Sequence, residues 1–94
     1  KKLLVFLFIL SSFQFAVGQT ISGQVLDENG LPLPGTTVTN TVSQVSVAAD
    51  LDGNFSITAA DDDKLSFTFV GYKTITLQAK NGMKVSMQLS STEL

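Results

Sequence analysis

From Thr20 onward, apolar and polar side chains alternate in short segments, each cut off by glycine, asparagine or aspartate. A period of two sends successive side chains to opposite faces of an extended chain, whereas a helix repeats every ~3.6 residues. The first predicted strand is Thr20 to Asp27, with Ile21, Gly23 and Val25 on one face. Glu28-Asn29-Gly30 is its turn, because Asn and Gly accept the positive φ of tight turns. Leu31-Pro32-Leu33-Pro34-Gly35 follows as an irregular edge or bulge, since proline cannot donate to a ladder. Thr36 to Asn40 points Val38 inward, and Gln44 to Ala49 sets Val45, Val47 and Ala49 against Ser46 and Ala48. After the turn Asp50-Leu51-Asp52-Gly53, Asn54 to Thr58 buries Phe55 and Ile57. Asp61-Asp62-Asp63 predicts a solvated loop, because adjacent carboxylates repel unless they face water.

Lys64 to Val70 carries the strongest pattern, with Leu65, Phe67 and Phe69 on one face. Gly71-Tyr72 interrupts it, and Lys73 to Ala79 resumes with Ile75 and Leu77 inward. Past Lys80-Asn81-Gly82, Met83 to Leu89 buries Val85, Met87 and Leu89. Seven strands, each with one apolar face, pair into two sheets packed about 10 Å apart. The expected fold is all-β, a seven-strand β-sandwich over residues 19–89, with a polar tail at 90–94.

The first 18 residues break this pattern. Lys1 and Lys2 precede an unbroken apolar run, Leu3 to Leu10, and Ala16-Val17-Gly18 offers small residues where a signal peptidase reads. That order predicts a signal-peptide helix over 1–18, cleaved before Gln19. A membrane anchor needs about 20 apolar residues, and Ser11, Ser12 and Gln14 interrupt too soon. No cysteine follows for lipidation.

Beyond the signal, Lys64, Lys73, Lys80 and Lys84 stand against eight acids. A mildly acidic surface without arginine does not suit phosphate contacts, which excludes nucleic acid as a partner. Anionic head groups would repel it too, so no membrane insertion is expected after cleavage. With no cysteine, no disulfide supports the small core. Its stability should be modest.

Candidate chemistry is sparse. Without His or Cys there is no ready general base, thiol nucleophile or common zinc ligand. No serine lies in a nucleophile elbow and no glycine-rich phosphate loop exists. Catalytic, cofactor-binding and metal-binding residues are therefore each expected to be none, and the chain is read as a non-enzyme. Asp50, Asp52 and Asn54 alternate as calcium ligands do, but the bidentate acid that completes such a loop is missing. The Asp side chains are expected instead to bond nearby backbone N–H groups. Tyr72 follows a glycine, so its ring is expected to fold across the sandwich edge with its hydroxyl on backbone. The alternative, a sugar-stacking platform of Phe67, Phe69 and Tyr72, loses two members to the core.

Ile21-Ser22-Gly23-Gln24-Val25, the Gly30 to Gly35 stretch, Asp50-Leu51-Asp52-Gly53-Asn54-Phe55 and Phe69-Val70-Gly71-Tyr72-Lys73 occur in this order across the chain. Together they resemble the carboxypeptidase-regulatory-like domain found after the signal peptide of SusC/RagA-type TonB-dependent receptors of Bacteroidetes. The resemblance implies a transthyretin-like or immunoglobulin-like sandwich at the periplasmic face of the outer membrane. It implies as partners the plug and barrel of an importer of glycans or peptides, with the TonB energy-coupling machinery as a further one. Ser90 to Leu94 resembles the approach to a TonB box. The family usually carries glycines between its second and third strands, where Val42 and Ser46 stand here, implying a more regular or differently shaped hairpin. Two functions follow: a non-catalytic spacer or docking module of an importer, or a secreted or surface carbohydrate- or protein-binding module, freestanding or attached to a hydrolase.

Overall fold

The computed structural model describes residues 19–90; the expected signal peptide and residues 91–94 lie outside them. Seven strands form in order: β1 (Gln19–Leu26), β2 (Thr37–Asn40), β3 (Ser46–Ala48), β4 (Asn54–Ala59), β5 (Lys64–Thr68), β6 (Ile75–Gln78) and β7 (Met83–Ser86). One sheet has the order β4-β1-β7 and the other β3-β2-β5-β6. Among these pairs β1 with β7 is parallel, and the rest are antiparallel.

The alternation in the sequence becomes the layer between the sheets. Ile21, Val25, Phe55, Ile57 and Val85 from one sheet meet Val38, Leu65 and Phe67 from the other, all buried. Fully burying a side chain of this size contributes roughly 1.5–3 kcal/mol relative to exposure, so a few such residues dominate the core. Phe55 and Phe67 meet edge to face, 5.5 Å between centroids. A Cβ on Gly23 would lie 2.6 Å from both the Phe55 ring and the Met83 carbonyl. Glycine is required there because an aromatic ring and a neighbouring backbone fill the space.

The predicted strands are all present; β1 keeps its length, β4 runs one residue further, and the other five are shorter. Val45 and Leu89, expected inside, are exposed, and Phe69, Ile75 and Leu77 are only half-buried. Val45 lies before β3 begins and Leu89 after β7 has ended, in segments that leave the sandwich, so alternation no longer fixes which face is covered. The β2–β3 connection departs from a simple hairpin: Gln44 takes φ 66° and donates its N–H to the Asn40 carbonyl at 2.7 Å.

Candidate interaction surface

The topology sorts the connections onto two ends. At the Gln19 end lie the β2–β3, β4–β5 and β6–β7 turns; at the Leu89 end lie the β1–β2, β3–β4 and β5–β6 connections and the departing residues 87–90. The Leu89 end gathers most of the sequence's turn motifs.

Two turns there share one construction. In Asp27 to Leu31, Asp27 Oδ1 accepts the N–H of Asn29 at 2.8 Å and of Leu31 at 2.9 Å. In Asp50 to Asn54, Asp50 Oδ1 accepts the N–H of Asp52 and of Asn54, both at 2.9 Å. The fourth residue is glycine at positive φ in each, Gly30 at 81° and Gly53 at 77°. Each glycine N–H donates to the aspartate carbonyl, and each aspartate N–H to the carbonyl of the fifth residue. Aspartate and glycine at this spacing close the loop because one supplies an acceptor for free N–H groups and the other tolerates the turn. The expected Asx chemistry of Asp50 is present. Among the described residues no group of three or more His, Cys, Asp or Glu is arranged to hold a metal.

Val25 joins the loops. Its N–H donates to the Gly53 carbonyl at 2.7 Å and its carbonyl accepts the Leu33 N–H at 3.0 Å. Gly35 N–H donates to the Ala49 carbonyl and Ala49 N–H to the Thr36 carbonyl. Thr36, fully buried, donates its hydroxyl to the Leu33 carbonyl at 2.9 Å.

Tyr72 supplies the third tie. Its ring packs 6.0 Å from Phe69 and its backbone bridges to Leu89. The hydroxyl donates to Glu28 Oε1 at 2.7 Å, a carboxylate rather than the expected backbone group. That hydrogen bond, with burial and the charges of Glu28 and Asp27, raises the Tyr72 pKa to about 12. A ring held this way is a strut, not an open stacking face for a sugar.

The connections at this end expose both apolar and acidic side chains. Leu31, Leu51, Val70 and Leu89 are exposed, Leu51 and Val70 almost completely at 87% and 90%. Asp27, Glu28, Asp50 and Asp52 lie on the same connections, with Lys73 as their cation. A shallow cleft of about 440 Å³ is lined by Gly35, Thr37, Thr68, Phe69 and Val70.

The Gln19 end is built around a residue the pattern reading passed over. Asn40 is buried, its Nδ2 donating to the Thr58 carbonyl and to Asp63 Oδ2, its Oδ1 accepting from Val42 and Ser43 N–H. An asparagine ending a strand before a polar loop was the available signal. Asp63 is half-buried here, so the solvated-loop expectation for Asp61 to Asp63 does not hold for it. Ala60 N–H and then Asn40 lower its pKa below 3.8. Its contribution to stability is present above that pH and is lost as pH falls through the lower folded value.

The profile of the CarboxypepD_reg-like domain matches residues 21–94. The chain belongs to the CarboxypepD_reg-like domain family. A TonB-dependent receptor of Formosa agariphila is 25% identical over 72 residues, covering 76% of this chain and 7% of that receptor. The chain thus spans a small fraction of the relative's length.

Proposed function

We propose that this CarboxypepD_reg-like domain is the non-catalytic N-terminal accessory domain of a SusC/RagA-type TonB-dependent outer-membrane importer. The observation that carries this reading is the family match over 21–94 together with the similarity to a receptor many times longer. In this reading residues 1–18 direct export and are cleaved before Gln19, residues 19–89 fold in the periplasm, and residues 90–94 lead toward the rest of the receptor. The Leu89 end, where the chain departs and where Leu31, Leu51 and Val70 are exposed, faces plug and barrel as a docking surface. Exposed apolar side chains held on locked loops suit contact with another protein. The absence of His and Cys, and the engagement of Asp27 and Asp50 by backbone N–H groups, support a role without catalysis.

The test uses the intact receptor in cells. These 94 residues contain no cysteine, so Ser43→Cys, exposed on the β2–β3 turn at the end away from the docking surface, adds one thiol whose labelling is scored against the unsubstituted receptor. Labelling by a membrane-impermeant maleimide should occur only after the outer membrane is opened, and the mature chain should begin at Gln19. Deleting residues 19–89 should lower substrate import while the barrel still reaches the membrane. Labelling of intact cells, or undiminished import by the deletion, would reject the reading.

A further inference from the structure

The two lateral sides of the sandwich differ. On one side β4 touches β2 and β3 and closes the gap between the sheets. On the other, the chain segments meet at Tyr72 and Leu89, with Lys73 N–H donating to the Gln88 carbonyl, and the β6 and β7 backbones stay more than 8 Å apart, Cα to Cα. Ile75, Leu77 and Met83 are half-buried along this splayed seam.

The ladder shows what β6 presents there. Ala79 N–H donates to the Asp63 carbonyl at 2.9 Å. Directly opposed residues in an antiparallel pair alternate between bonded and non-bonded pairs. The β5–β6 register therefore makes Leu65–Leu77 and Phe67–Ile75 the bonded pairs and turns the peptide groups of Thr74, Thr76 and Gln78 to the outer edge. The bond from Thr41 N–H to the Lys64 carbonyl on the other side of β5 requires the same alternation. Edge strands are ordinarily protected by brevity or by charge. β3 has three residues and β7 carries Lys84 mid-strand, whereas Ile75-Thr76-Leu77-Gln78 contains no charge.

Charge surrounds this edge instead. The lysines beyond residue 18 all fall between 64 and 84: Lys73 and Lys80 bracket β6, Lys64 lies opposite Gln78, and Lys84 is on β7. All are exposed. Of the acids at the nearby corner, Asp61 is held by Gln19 on β1 and Asp63 by Asn40 on β2, away from β6, and Asp62 is exposed. We infer that the outer edge of β6 is an acceptor for an extended strand of a protein partner, one with an uncharged β-forming centre and acidic residues at both ends. Backbone bonds to Thr74, Thr76 and Gln78 supply the pairing, and Lys73 and Lys80 select the ends. A second copy is disfavoured, because antiparallel pairing through Thr76 puts Lys80 of one copy within one register position of Lys73 of the other.

The experiment uses residues 19–94, which contain both sheets and every buried residue named above. Two synthetic heptapeptides of alternating threonine and valine, one with glutamate at both ends and one with lysine, are titrated and followed by backbone amide NMR. The acid-ended peptide should bind at least about tenfold more tightly, with shifts concentrated on Thr74 to Gln78. Thr76→Pro removes an outward N–H that the β5–β6 ladder does not use, so it should abolish binding and keep the fold. Lys73→Glu with Lys80→Glu should reverse the peptide preference, and decides the matter even if the proline variant loses stability. Equal binding of the two peptides, shifts centred on β4, β7 or the Leu89 end, an unreversed preference, or no response up to about 1 mM peptide would each overturn the proposal.

Discussion

The turns Asp27 to Leu31 and Asp50 to Asn54 have the same internal hydrogen bonds and the same left-handed glycine, yet they do different work. A Cβ on Gly30 would meet nothing within 4 Å, whereas one on Gly53 would lie 2.5 Å from the Val25 carbonyl and 3.2 Å from Pro32. The first turn stands in solvent and reaches the rest of the Leu89 end through Glu28 and Tyr72. The second packs Gly53 against the β1 backbone, with Leu51 left exposed, and helps close the sandwich. Identical local chemistry thus acquires a different energetic weight from what is packed on it.

Substitution should expose that difference most strongly at the glycines. Gly53→Ala combines left-handed strain with a backbone clash and should cost about 3–4 kcal/mol in urea unfolding. Gly30→Ala meets strain alone and should cost about 1 kcal/mol. Equal losses would show that the Val25 contact carries no weight. Asn40→Ala, at the opposite end, should cost about 3 kcal/mol, because it strips four hydrogen bonds from a buried junction. Asp50→Ala and Asp27→Ala each release two N–H groups and should each cost about 1 kcal/mol.

The smallest effect isolates the solvent-facing turn. Tyr72 is the single tyrosine, so its ionisation is read directly by ultraviolet absorbance. The midpoint should lie near 12, and Glu28→Gln should return it toward 10.0. Because folding raises this pKa, the contribution to stability is whole below pH 10.0 and is lost as pH rises toward 12. A midpoint unchanged by Glu28→Gln would remove the tie between the first turn and the β5–β6 connection.

Much of this is legible in the sequence. Ile21, Val25, Phe55, Leu65 and Phe67 announce their faces by alternation, and Asp50 its turn by spacing. The interaction surface is less so. Leu31, Leu51 and Val70 are scattered through the chain and come to the same end only because three connections share it. Glu28 and Tyr72 are 44 positions apart, and nothing local links them. Asn40 reads as a turn residue until Thr58 and Asp63 are folded onto it.

The sequence alone determined the seven strands, most of their inward faces and the turn chemistry of Asp50, because period and turn propensity act over a few neighbouring residues. Only the tertiary structure decided that Gly53 is constrained and Gly30 free, that Asp63 is structural, and that β6 keeps an open edge. Those properties depend on which distant backbone occupies the adjacent space, and sequence spacing does not encode that distance.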